Sequence, residues 1–267
     1  MVDAEIHFVD RGTIRADPNF AIEGHTVASI DDPSPDRGRI EAPVYNLLIE
    51  HPAGTILWDT GSHPDAGDGH WPSEIYAEFE HYDAHERDLE TALGEVEYGT
   101  EDIDYVIQSH LHLDHAGGLY RFDGTNTPVF VHHEELKHAY YSAKTDEGSD
   151  AYVAADFDHD LNWQVIYGDR ETHFEDIELI HLPGHTPGLM GLVIDLENDG
   201  TIVFAGDEFY LRANFEKRRP LGGGLLWDKR AWFESLRRIE ELQRRYDAKV
   251  FCGHAPDDLE ALRGGFS

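Results

Sequence analysis

One ten-residue run constrains this chain more than any other feature: Ser109-His110-Leu111-His112-Leu113-Asp114-His115-Ala116-Gly117-Gly118. Four metal-binding side chains fall within six residues of it. The apolar segment Tyr105–Ser109 just before it reads as a short strand, so the block begins at a strand end. His110 and His112 are two positions apart, and on extended backbone such residues point to the same side and can share one ion. Asp114 and His115 follow where Asp-His-Ala-Gly-Gly suggests a turn into a helix, from which they can swing to a second ion. Imidazole and carboxylate ligands suit Zn²⁺ first, and also Mn²⁺, Fe²⁺ or Co²⁺. Among 18 histidines some adjacency arises by chance, and His132-His133 reads as such a pair. The spaced quartet followed by two glycines does not.

Three further ligand-type residues share one local design: an apolar strand, a glycine, then the ligand. His185 follows Leu182-Pro183-Gly184, Asp207 follows Phe204-Ala205-Gly206, and His254 follows Val250-Phe251-Cys252-Gly253. Loops held by a rigid sheet are where sites are built. Elsewhere, strands are expected at Ile6–Val9, Val44–Glu50, Thr55–Asp59, Val129–His132, Ile177–Leu182, Leu192–Leu196 and Thr201–Ala205. His51-Pro52-Ala53-Gly54 and Asn198-Asp199-Gly200 supply hairpin turns. Helices are expected over Ala84–Gly94, Glu134–Ala143 and Arg230–Tyr246, the last with apolar residues near a 3.6-residue period. Asp31–Asp36 is a surface loop. Strands, helices, strands, then a helix fit a sandwich of sheets with helices outside better than a strictly alternating parallel fold.

These motifs resemble the metallo-β-lactamase superfamily. The matching stretches are Trp58-Asp59-Thr60-Gly61, the His110–His115 block, Pro183-Gly184-His185, Ala205-Gly206-Asp207 and Gly253-His254. The resemblance implies an α+β fold, an αβ/βα sandwich of two mixed sheets with helices on the outer faces, formed by residues 1–267 as one domain. It implies two divalent ions, one held by His110, His112 and His185 and the other by Asp114, His115 and His254, with Asp207 bridging both. Asp59 would support a ligand histidine or loop through hydrogen bonds, or simply close a turn.

After Asp207, the run Glu208-Phe209-Tyr210-Leu211-Arg212-Ala213-Asn214-Phe215-Glu216 is similar to the N-acyl-homoserine lactone lactonases, which quench quorum sensing. That similarity gives Tyr210 a role at the substrate carbonyl. It implies attack on a lactone by a hydroxide bridging the ions, a nucleophile available near neutral pH, with Asp114 or Asp207 passing a proton to the leaving oxygen. Leu113 departs from the phenylalanine common in that family. Leu221-Gly222-Gly223-Gly224-Leu225-Leu226-Trp227 is either a core-facing loop or an acyl-chain wall, and Lys217-Arg218-Arg219 is expected to pair with surface acids. Rival readings are a glyoxalase II-like thioesterase, another ester hydrolase of the superfamily, and a metal-binding regulatory module without turnover. A glyoxalase II is disfavoured by the short run after His254.

Composition narrows the partners. Lys and Arg number 21 against 54 Asp and Glu, a formal net charge of -33. Self-repulsion of that size destabilises the compact state unless high salt screens it, so adaptation to a saline cytoplasm is expected. The same field repels phosphates and disfavours a nucleic-acid partner. The lone Cys252 excludes an internal disulfide,. No apolar run long enough to span a membrane and no basic-then-apolar leader is visible. The expected partner is a small lactone, with a homodimer left open.

Overall fold

The computed structural model describes residues 1–145 and 147–267. Twelve strands carry it: β1 (Glu5–Ala16), β2 (Ile40–His51), β3 (Gly54–Trp58), β4 (Phe79–His81), β5 (Tyr105–Ile107), β6 (Pro128–His132), β7 (Asn162–Ile166), β8 (Arg170–His173), β9 (Ile177–His181), β10 (Met190–Leu196), β11 (Gly200–Phe204) and β12 (Lys249–Phe251). A seven-stranded sheet runs β4-β1-β2-β3-β5-β6-β7 and a five-stranded sheet runs β12-β11-β10-β9-β8. Both are mixed. β1, β2, β3 and β4 pair antiparallel, whereas β3-β5-β6-β7 pair in parallel. In the smaller sheet only β11-β12 is parallel.

Strand alternation builds the layers. Leu47, Ile49, Ile56, Trp58 and Ile107 face inward and meet Leu179, Leu192, Ile194, Ile202 and Phe204 from the opposite sheet. Their neighbours Leu48, Leu57 and Val106 face outward, where Leu89, Leu93 and Ala139 cover them. On the far side, Val203 and Val250 are covered by Trp232, Leu236, Ile239 and Leu242 of the helix Lys229–Tyr246. Burying each of the three aliphatic side chains of that stripe contributes roughly 1.5–3 kcal/mol. Asp228 starts this helix by accepting from Ala231 N at 2.7 Å, and Asp247 ends it in the left-handed region at φ 53°. The result is the expected helix–sheet–sheet–helix sandwich.

Both expected hairpins form, β2–β3 and β10–β11. The Asp31–Asp36 loop lies at the surface. One expectation is corrected: of Ala84–Gly94, only Leu89–Gly94 is α-helical. Asp88 fixes that start, because its carboxylate accepts from Glu90 N at 3.0 Å, as an N-cap does. β1 and β2 are longer than expected, and β4, β7 and β8 were not foreseen. β1 continues through an irregularity between Asp10 and Thr13, where the charged Arg11 is fully buried.

Candidate metal centre

The strand ends converge. His110, His112 and His185 form one group of ligand atoms, and Asp114, His115, Asp207 and His254 form a second. In the first, His185 Nε2 lies 3.2 Å from His110 Nε2 and 3.0 Å from His112 Nδ1. In the second, His254 Nε2 lies 3.3 Å from His115 Nε2, 3.5 Å from Asp114 Oδ2 and 3.1 Å from Asp207 Oδ2. Ligands at about 2.0–2.1 Å from a tetrahedral zinc sit about 3.3–3.4 Å from one another, so this spacing is that of a coordination shell. Asp207 touches both groups: Oδ1 is 3.4 Å from His115 Nε2, and Oδ2 is 3.8 Å from His185 Nε2.

Hydrogen bonds behind the ligands fix which nitrogens face inward. His185 Nδ1 donates to Leu225 O at 2.6 Å and His254 Nδ1 to Pro43 O at 2.8 Å. His115 Nδ1 donates to Asp59 Oδ2 at 2.8 Å. Asp59 also accepts from Ser109 Oγ at 2.7 Å, which leaves that oxygen to accept from His110 Nδ1 at 3.0 Å. All four rings therefore turn Nε2 toward the centre, the arrangement that orients metal-binding histidines. Burial holds His110 and His112 well below the usual imidazole range, and their histidine neighbours push the same way. Burial also opposes charge on His115 and His254, but Asp207 and Asp114 outweigh it and raise both. Asp207 Oδ1 is buried with no hydrogen-bond partner. A buried carboxylate oxygen without a hydrogen-bond partner, among ligand-type imidazole nitrogens, fits a divalent cation.

A cavity of about 360 Å³ opens on this centre. His112, Asp114, His185, Asp207 and Tyr210 form its floor; Ile14, Phe20, Ile75, Phe79, Leu113 and Leu225 form its apolar walls. Tyr210 is buried, its ring stacks on His254 at 4.2 Å, and its hydroxyl has no hydrogen-bond partner. Leu225 combines both readings of the Leu221–Trp227 segment, since it is buried, lines the cavity and offers its carbonyl to His185. Leu221 is core and Trp227 is exposed. In the basic run, Arg218 pairs with the acid Glu240 at 2.6 Å, as expected, whereas Arg219 binds backbone oxygens of Glu23 and Gly24. His132 is buried and stacks on His181 at 4.0 Å, outside both ligand groups.

Sequence reasoning missed the buried polar residues behind the ligands. Glu208 Oε2 accepts from His185 N at 3.1 Å. Glu135 is fully buried between the two ligand loops. Arg11 holds the backbone of Thr60 and Ser62, the loop that carries Asp59. Only Glu208, adjacent to Asp207, carried a positional hint.

The Metallo-beta-lactamase superfamily profile matches residues 40–254. An N-acyl homoserine lactonase from Bacillus sp is 33% identical over 84% of this chain and 85% of its own length. The N-acyl homoserine lactonase AiiB of Rhizobium rhizogenes is 28% identical over 97% of this chain and 96% of its own. Among solved structures, an N-acyl homoserine lactone hydrolase with the product N-hexanoyl-L-homoserine at its catalytic metal centre superposes with a TM-score of 0.83. It is 27% identical, over 98% of this chain and 97% of that one. The shared fold, the ligand motifs and these relatives together establish that the chain belongs to the metallo-beta-lactamase superfamily and groups there with the N-acyl homoserine lactonases.

Proposed function

We propose that this chain opens the lactone ring of N-acyl homoserine lactones by hydrolysis, and that His110, His112, Asp114, His115, His185, Asp207 and His254 hold two divalent ions, zinc first among them. The observation that carries the reading is the Tyr210 hydroxyl, buried without a partner in an apolar cavity that opens on the ligand cluster. Bound ions supply Lewis-acid polarisation and a water acidic enough to attack at neutral pH. The chain's own part follows from its geometry. The Tyr210 O–H donates to the carbonyl oxygen as negative charge develops there, a contribution that grows in the transition state. Burial pushes this hydroxyl well above its ordinary value, and Asp114 and Asp207 push it further, so it stays a donor. Asp114 and Asp207 both line the cavity, so either carboxylate is placed to pass a proton to the leaving ring oxygen,. The Ile14, Phe20, Phe79 and Leu225 side takes the acyl chain.

We read residues 1–267 as one domain, because Ile6 near the start hydrogen-bonds Phe266 at the end at 2.8 Å. Cytoplasmic location rests on the single cysteine, and adaptation to a salt-rich cell and exclusion of nucleic acid rest on the charge of -33. Among the described residues no helix is long and apolar enough to cross a membrane. A homodimer is an arrangement this reading permits. The test is hydrolysis of N-acyl homoserine lactones of several chain lengths by zinc- or manganese-loaded protein in high salt, with a glutathione thioester alongside. Lactone opening that disappears in Asp207→Asn supports the reading. Thioester cleavage without lactone opening would move the chain to a glyoxalase II-like activity. Tight metal binding with neither reaction would make it a regulatory module.

A further inference from the structure

Behind the first ligand group, one buried carboxylate ties together three segments that are far apart in sequence. Glu135 lies in the first turn of the helix His133–Lys144 and has no exposed surface. Its Oε1 accepts from Leu111 N at 2.9 Å and from the Tyr152 hydroxyl at 2.8 Å, and its Oε2 accepts from Thr186 Oγ1 at 2.6 Å. Each donor sits against a ligand. Leu111 lies between His110 and His112, Thr186 follows His185, and the Tyr152 ring packs on His112 with centroids 4.5 Å apart. Gly188 lets this happen: a Cβ there would lie 2.0 Å from Glu135 N, so only a glycine allows the His185 loop to press against the helix start. Among the described residues, no hydrogen bond joins the Glu135 carboxylate to the second ligand group. His115 and His254 are held from behind by Asp59 and by Pro43 O.

We propose that Glu135 is a positioning residue for the His110, His112 and His185 half of the centre, setting the affinity of that half for its ion and leaving the Asp114, His115 and His254 half unaffected. The inference rests on the reading of this cluster as a two-ion centre. A buried carboxylate is expensive unless its lone pairs are filled, and here three donors from three segments fill them. The network is formed with His110, His112 and His185 in ligand geometry. Groups that orient metal ligands from behind typically change metal affinity by about 10–100-fold when removed.

The experiment is zinc affinity of the full chain by competition with a chelator, with His185→Ala and His254→Ala marking the signatures of losing each half. Glu135→Ala is expected to keep one ion at wild-type affinity and to bind the other about 10–100-fold more weakly, following the His185→Ala pattern. Glu135→Gln keeps an oxygen for Leu111 and Tyr152 and should fall between. Thr186→Val removes one donor and should weaken the same half by a smaller factor. Equal weakening of both halves would overturn the proposal, as would wild-type affinity at both. If Glu135→Ala does not fold, Glu135→Gln and Thr186→Val decide, and wild-type affinity in both would sink the idea. The readout is zinc and not turnover. A chain that binds two ions but opens no lactone would defeat the lactonase reading and leave this one standing.

Discussion

Tyr210 shows how a single residue can be stabilising in one respect and costly in another. Its ring packs on His254 and is buried, yet its hydroxyl is enclosed without a partner. Enclosing a hydroxyl unpaired costs about 1–3 kcal/mol, so packing alone would favour phenylalanine here. Tyr210→Phe is therefore expected to leave the thermal midpoint unchanged or raised. It should lower kcat for lactone opening by about 100-fold, the usual loss of one donor to a developing oxyanion, with little change in KM. Thermal unfolding and steady-state kinetics on the same preparation check it. A lowered midpoint with unchanged kcat would assign Tyr210 to the core. Asp207 follows the same logic, because its Oδ1 is buried without a hydrogen-bond partner, 3.4 Å from the ligand nitrogen of His115, as expected of an oxygen held for a cation.

At the scale of elements, β4 is the informative one, a three-residue edge strand that pairs only with β1. Its His81 donates from Nε2 to Arg11 O at 2.9 Å, and Nδ1 accepts from the Ser62 hydroxyl at 2.7 Å. Burial and then the neighbouring Arg11 guanidinium push His81 down to about 3, although Asp83 lies 3.5 Å away. An unfolded histidine takes up its proton near pH 6.5. Between there and about pH 3, the unfolded state holds one more proton than the folded one, and stability falls as pH falls. His81→Gln keeps a donor for Arg11 O and removes the titration. Its stability should decline less steeply than wild type between pH 6 and 4, by up to about 1.4 kcal/mol per pH unit, measured by urea unfolding. Parallel slopes would refute it. Nothing in the sequence marked β4, because Phe79-Glu80-His81 holds a single apolar residue, whereas the equally short β5 and β12 lie in apolar runs. β8, Arg-Glu-Thr-His, carries no apolar alternation and is an edge strand only because β9 pairs with it. By contrast, His185, Asp207 and His254 were legible because each follows a strand and a glycine within five residues of sequence. Glu135 and Arg11 were not, since their burial is set by partners 17 to 51 and 35 to 76 residues away.

The whole molecule carries its charge as a property of no single element. The cations are largely engaged: Lys229 with Glu23, Lys249 with Asp199, Arg87 with Glu95, Arg170 with Glu178. With 54 acids against 21 Lys and Arg, most carboxylates have no such partner. Exposed ion pairs contribute only about 0–1 kcal/mol each, so they cannot offset the repulsion of the remainder. That repulsion acts over the Debye length, about 10 Å at 0.1 M salt and about 3 Å at 1 M. At the higher value it reaches little beyond a neighbouring side chain. The core is ordinary, and its burial does not depend on screening, so salt should act on the charge term. The thermal midpoint is expected to climb from about 0.05 M to about 1 M KCl and then to flatten, because screening is nearly complete once the Debye length matches the spacing of adjacent charges. Salt that worked by strengthening apolar burial would keep raising the midpoint beyond that range. Reversing surface acids such as Asp31, Asp32 and Asp36, all exposed in one loop, should shift the low-salt midpoint upward and leave the high-salt midpoint in place. A midpoint independent of KCl, or equal shifts at both ends of the salt range, would show that the acidic surface is not what limits stability in dilute buffer.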